Sequence, residues 1–456
     1  MDIKFNGFAN NVIKEGDQYS YYFDGEILHL NRTKRVSGVE FSLTNRQIPI
    51  LETIKHNGGN VVLFDCIERF ISLSNDELEI KPSYIFESKY NNYQFKEFSG
   101  IVCYGKWINK LFPPSQIVEY DSLNYDHNKE TFHQCARDGS KTIKVKKWDD
   151  VDKKFKYKID GEEIEISFNI TSPGTIREED ENLGEIKSLF ELKFSNSHNI
   201  SEVKDFYLII RKFFQFLTNR QDILFDEIHI LQSCDSGKYE RIGYFYDLYN
   251  KSSEVPKKMH LAKHYFGNIT KLFKYISNEK INFNHIPKNN LEHRYVTPEQ
   301  YVNCCGSFEY NYKKVFKDEP LDEKTNQIIN DLSELLESQS NYNSKQRKII
   351  KKIIDDLNKT SQSVEKKYNK CLKRYKDVVS PFINELISHY EIAKTPQLLG
   401  SHFSSYRNHK AHGELTPFTK EAVCAYIVAN VIIECLILDA CGFGIEEMKE
   451  IVKNKY

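Results

Sequence analysis

A chain of 456 residues has room for about three domains, and a formal net charge of −1 excludes a surface uniformly basic enough to coat nucleic acid, though not a local basic face. Hydrophobic residues make up 40%, enough for proper cores. The ten cysteines form no CxxC pair and have no His-rich partner spacing, which argues against both a zinc site and a disulfide framework. Reduced, buried thiols are therefore expected.

Met1 to Asn6 has no apolar run of the kind that opens a signal peptide, and a cytoplasmic protein is expected. Residues 1–195 read as β-rich. Tyr19 to Phe23 is aromatic, Val36 to Leu43 alternates loosely, and Val61 to Phe64 is a short apolar run. Alternation on both sides of Asp160-Gly161, over Phe155 to Ile159 and Ile164 to Ile170, predicts a hairpin. Leu189 to Phe194 alternates as well. Short strands separated by Asn, Gly and Ser clusters predict a sandwich or barrel-like domain, whose many aromatics, Trp107 and Trp148 included, read first as strand core and second as base-stacking surface.

Residues 196–292 read as a mixed connector. It holds an amphipathic helix from Val203 to Leu217 with Ser201 as N-cap, a strand from Ile223 to Leu231, and helical spacing again from Lys257 to Ile276. Residues 293–456 read as all-helical. Thr297-Pro298 caps a helix running through Tyr301, Phe308 and Tyr312, and further helices are expected near 323–337, 344–358, 362–376, 378–392, 396–412 and 417–441. Between Asn341 and Lys376, 12 Lys and Arg face 3 Asp and Glu, a pattern that fits either an RNA-binding face or a pair of solvated helices. Val423 to Phe443 is apolar enough to suggest a membrane span, but it carries Asn430, Glu434 and Asp439, which are costly in lipid. A helix buried in a bundle or subunit interface, with no membrane partner, is the better reading. The fold class is α+β multidomain: a β-rich N-terminal sandwich or barrel-like domain, then a C-terminal helical bundle.

Within that bundle stands Phe403-Ser-Ser-Tyr-Arg-Asn-His-Lys-Ala-His-Gly413. Thirteen arginines and 14 histidines give about 0.4 chance occurrences of Arg-x4-His in a chain this long. Only Arg407 has a histidine five residues on, and its flanking Asn408 and Gly413 lower the chance expectation further. The residue types suit metal-free RNA cleavage. Histidine titrates nearest neutrality and can take the ribose 2′-hydroxyl proton. A guanidinium, always charged, can grip two oxygens of a phosphate that gains charge in the transition state. On a straight helix Arg407 and His412 lie about 140° apart, so they converge only if the helix ends between them or a second chain completes the site. Gly413 as a C′ residue, with Thr416-Pro417 as the start of the next helix, predicts a helix stopping at His412. The plainer account makes Arg407 a surface salt bridge and leaves His412 and Lys410 to complement a helix C-terminus.

The Arg407-Asn-x-x-x-His412-Gly pattern resembles the signature of the HEPN ribonucleases. The layout, β-rich half followed by a HEPN bundle, resembles the ApeA-type anti-phage HEPN proteins, as do Phe216 to Ile228 and Phe308-Glu309-Tyr310. The resemblance implies a metal-independent endoribonuclease of an abortive-infection system whose substrates include tRNA. Its N-terminal domain would take part in sensing a phage-derived trigger. It further implies Arg407 and His412 as the catalytic pair, Asn408 as supporting polar position, Glu309 as an acidic residue on the first bundle helix, no metal or cofactor, and a homodimer with two motifs in one cleft. Two alternatives stay open: a non-catalytic HEPN scaffold or nucleotide-binding module, and the toxin of a toxin–antitoxin pair.

Overall fold

The computed structural model describes residues 3–10, 18–34, 46–72, 77–90, 94–120, 143–145, 151–159, 161–171, 186–249, 254–256, 259–316, 323–338, 342–361, 363–390, 398–411 and 417–456. They form two compact units: residues 1–215 with 222–263, and residues 216–221 with 264–456. The stretch 196–292, read from the sequence as a separate connector, is divided between them. Val36 to Leu43 and Trp148 lie outside the described residues.

In the first unit β1 (Phe5–Asn10), β2 (Gln18–Phe23), β3 (Leu28–Lys34), β4 (Arg46–Lys55), β5 (Asn60–Ser72) and β6 (Glu77–Lys81) close into an antiparallel six-stranded barrel, in the order β1-β2-β3-β6-β5-β4. Alternation dictates its inside: Phe5, Ala9, Tyr19, Tyr21, Phe23, Leu28 and Leu30 point in and are buried. Gly7 is the inward position between Phe5 and Ala9, where a Cβ would stand 2.0 Å from the Ile54 carbonyl oxygen. Strand β5 serves two sheets from one edge. Its later residues pair with β6 inside the barrel, while Val61 to Phe64 pair with β7 (Tyr84–Ser88). Asp65, at φ 48°, marks the change of partner, and the Ser83 hydroxyl donates to its carbonyl at 3.1 Å.

From β7 an open antiparallel sheet continues through β15 (Tyr239–Asp247), β14 (Glu227–Ser233), β8 (Glu97–Tyr104), β13 (Lys187–Asn199), β12 (Glu162–Thr171) and β11 (Lys153–Ile159). The expected hairpin is β11–β12, with Ile159 opposite Glu162 and Gly161 at φ 88°. The expected strand at 223–231 begins later, at Glu227. A two-stranded ribbon, β9 (Val118–Tyr120) with β10 (Ile143–Val145), stands apart from this sheet. Most aromatics are core: Trp107, on α1 (Lys106–Leu111), is 2% exposed. Helix α2 (Val203–Thr218) lays Phe206, Tyr207 and Phe214 on the sheet, with ring centroids 4.5 Å from Phe194, 5.0 Å from Phe245 and 5.1 Å from Phe190. Its cap corrects the sequence reading. Ser201 lies in a 3₁₀ turn, Ile200–Glu202, and the Asn199 side chain accepts from the Ser201 N–H at 2.9 Å. The acceptor two residues upstream satisfies the first free amide of the turn.

The second unit is helical: α3 (Ile269–Ser277), α4 (Asn290–Arg294), α5 (Pro298–Val315), α6 (Glu323–Ser338), α7 (Ser344–Ser361), α8 (Val364–Arg374), α9 (Lys376–Tyr390), α10 (Leu398–Ala411), α11 (Lys420–Ala440) and α12 (Ile445–Lys455). Residues 257–276, read as one helix, divide into a 3₁₀ segment, Ala262–Asn268, and α3. Thr297 caps α5 in a reciprocal box with Gln300. Thr416-Pro417 does not start α11; Thr419 does, accepting from the Ala422 N–H at 3.1 Å, because the helix needs a side-chain oxygen three residues before that amide.

Helix α11 is the one described helix long and apolar enough to cross a membrane, and it is mostly buried within its own unit, against α5, α8, α9, α10 and α12. Its polar residues all have partners. Asn430 donates to the Tyr426 carbonyl at 3.0 Å, Asp439 accepts from the Tyr375 hydroxyl at 2.8 Å, and Glu434 receives the Lys455 ammonium at 2.7 Å. Of Ile427, Val431 and Leu438, apolar positions at helical spacing that would need covering by another chain or domain, Val431 and Leu438 are 0% exposed and Ile427 is half-buried. The helix's own apolarity is therefore no argument for a dimer.

His285, 2% exposed, is held down to about 3 from 6.5, first by burial and then by the Lys455 charge, against a hydrogen bond with the Asn282 backbone. Between those values the unfolded chain binds a proton that the folded chain refuses, so acidification destabilises the fold and the histidine's contribution is intact only above 6.5. Wild-type stability should fall by about 1.4 kcal/mol per pH unit from this group between about pH 6 and 4. Urea titrations across that range should show the slope reduced in His285→Asn. An unchanged slope would remove His285 as its source.

Candidate functional site

Helix α10 presents Leu399, Phe403 and Tyr406 inward, at 5%, 0% and 5% exposure, a spacing that is one face of a helix. Against them lies α5. The Tyr301 ring is 5.5 Å from Phe403 and 4.6 Å from Tyr406, and Phe308 is 5.8 Å from Phe403. Phe418, just before α11, stacks on Tyr406 at 4.6 Å. This aromatic bed fixes the rotation of α10 and with it the direction of Arg407, one turn beyond Phe403.

The structure brings Arg407 and Glu309 together. The Arg407 Nη2 donates to Glu309 Oε2 at 3.0 Å, from α10 to α5, with the two side chains 37% and 29% exposed. The contact engages one amino group of a guanidinium that carries five N–H donors. Asn408, the next residue, is exposed, about 100° further round the helix. His412 and Gly413 lie outside the described residues. Arg407 is still four residues inside α10, which runs to Ala411, so any break between the motif's two ends falls beyond the described part of that helix.

Cys305 lies beside the ion pair. Burial raises its thiol far above the ordinary range; Arg407 pulls it down and Glu309 pushes it up, so the thiol stays protonated and is no nucleophile. The nine described cysteines are unbridged, and eight of them are buried. Among the described residues no group of three or more His, Cys, Asp and Glu is arranged to hold a metal ion.

Beside the bed a cavity of about 730 Å³ opens, lined by His293, Arg294, Glu385, His389, Phe418 and Tyr426 among others. Phe418 belongs to both the cavity and the bed. Parts of the basic stretch 341–376 are structural. On α8, Lys370 and Arg374 lie 4.5 and 5.4 Å from the Phe316 ring, and Arg374 also pairs with Asp439 at 2.7 Å. Sequence reasoning did not identify Cys305, Tyr406 or Phe418 as neighbours of the motif. The only signal was that Phe403 and Tyr406 share a helical face with the Leu399 position.

Comparison with family models, with curated proteins and with solved structures found no match.

Proposed function

We propose that the chain is a HEPN-type, metal-independent endoribonuclease of an anti-phage abortive-infection system, with tRNA among its substrates. The observation that carries this reading is the solitary Arg407-Asn-x-x-x-His412-Gly motif, whose Arg407 and Asn408 lie on a helix of a helical unit, with Glu309 at 3.0 Å from Arg407. His412 removes the 2′-hydroxyl proton as that oxygen attacks the adjacent phosphorus. The bond from phosphorus to the 5′-oxygen breaks, leaving a 2′,3′-cyclic phosphate, and the departing oxygen takes up a proton. Arg407 grips the non-bridging oxygens as charge builds on them. Glu309 positions the guanidinium before RNA arrives and exchanges part of that contact for phosphate. A homodimer lets two motifs share one cleft, and the β-rich unit serves to sense infection.

A second reading has support in the same ion pair. An arginine half-exposed and bonded to a carboxylate is what a non-catalytic scaffold would also contain. One incubation separates them. Total tRNA should be cut in the presence of EDTA, giving 2′,3′-cyclic phosphate and 5′-hydroxyl ends, and 2′-deoxyribose at the cut site should block cleavage. Strict dependence on magnesium, or ends of the opposite type, would overturn the mechanism.

A further inference from the structure

Helices α6 and α7 form a hairpin, joined by residues 339–343, a link short enough to make them antiparallel neighbours. Among the described residues no side chain of either helix is buried, although both carry apolar stripes. Ile329, Leu332, Leu336, Ile350 and Ile354 are partly covered, as expected where the two helices meet. Ile328, Leu335, Ile349 and Ile353 are 48%, 42%, 52% and 44% exposed.

Each exposed residue directly precedes a partly covered one: 328 before 329, 335 before 336, 349 before 350, 353 before 354. One step back is a turn of about 100°. In antiparallel neighbours that turn runs in opposite senses when both are viewed from one end. The two exposed sets therefore emerge on the same side of the hairpin, as one apolar face. Its edges differ in charge. Asp331 and Glu334 border it on α6, and Lys345, Lys348 and Lys352 border it on α7, all exposed.

We propose that this face pairs with the same face of a second copy of the chain, making an antiparallel four-helix bundle. An apolar face on a two-helix hairpin gains stability by being covered. Where the two-fold axis runs along the helices, α6 of one copy lies over α7 of the other and the acidic edge of each meets the basic edge of its mate; an axis across the helices would set like edges together, so charge selects the first. A polyanion would meet Asp331 and Glu334 on one side, and a neutral partner would leave both edges uncompensated. The pairing is independent of the nuclease reading: a chain without activity would still dimerise here.

Light scattering and sedimentation of the full chain test this. The wild type should be dimeric at micromolar concentration. Ile328→Asp with Ile353→Asp should raise the dimer dissociation constant more than about tenfold, with the circular dichroism melt retained. One chain carrying Asp331→Lys and Glu334→Lys and another carrying Lys348→Glu and Lys352→Glu should each associate poorly alone and form a heterodimer when mixed. That rescue identifies the mate as a second copy and excludes misfolding as the cause of the weakness. A monomeric wild type, a dimer untouched by the two aspartates, or reversed chains that fail to pair when mixed would each overturn the proposal.

Discussion

Arg407→Ala and His412→Ala should each lower RNA cleavage by at least about a hundredfold while leaving thermal unfolding nearly unchanged. The two halves of that expectation rest on different physics. Arg407 is 37% exposed, and its partner Glu309 is solvated enough that the pair contributes little to folding. Toward a phosphodiester in its transition state the same guanidinium meets growing charge, where a preorganised donor has its largest effect. Glu309→Gln, which keeps a hydrogen-bonding oxygen, should retain more activity than Glu309→Ala, since the role assigned to it is positioning. The shared cleft is tested by titrating His412→Ala chains into wild-type chains under exchanging conditions. Activity should fall faster than the wild-type fraction, because mixed dimers are impaired. Proportional loss would exclude the composite site, and full activity in a folded Arg407→Ala or His412→Ala chain would end the nuclease assignment.

The largest single effect on stability is expected at Lys455. Its ammonium and the Glu434 carboxylate are 2.7 Å apart with both side chains 2% exposed, and the network closes through the Phe216 carbonyl at 2.7 Å and the Tyr265 hydroxyl at 3.3 Å. Burial pushes the Glu434 pKa up and the Lys455 pKa down, and each charge opposes the shift of the other. Lys455→Met leaves a carboxylate buried with only a tyrosine hydroxyl to meet it. The helical unit should lose about 3–5 kcal/mol. Replacing both, with Glu434→Leu beside Lys455→Met, should recover most of that, because an apolar pair of similar volume carries no desolvation cost. Urea unfolding of the three chains decides it. A single variant that loses under about 1 kcal/mol would mean that the network relaxes or admits water.

Much of the fold was legible because its signals are local. The Asp160-Gly161 hairpin, the Thr297 box with Gln300 and the helices from 298 onward follow from periodicity and caps within one or two turns of chain. The motif was legible in the same way, as residue types at a fixed spacing. That Asn199 caps a 3₁₀ turn leading into α2, where Ser201 was expected to cap the helix, and that Thr419 rather than Thr416 caps α11, is decided by backbone geometry. Closure of the barrel depends on β5 changing partner at Asp65, a pairing between strands that no local pattern encodes.

Amino-acid sequence by itself determined that a β-rich half precedes a helical one, that Arg407, Asn408 and His412 stand in one short stretch, and that the apolar segment around Glu434 carries polar groups that need partners. Tertiary structure alone decided that Glu309 reaches Arg407, that Lys455 neutralises Glu434 from 21 residues away, and that α11 is covered by its own unit while the α6–α7 face is not. The physical reason is range. Periodicity and caps act over three or four residues, whereas charge pairing and burial depend on which helix faces arrive together, and that is known only once the chain has packed.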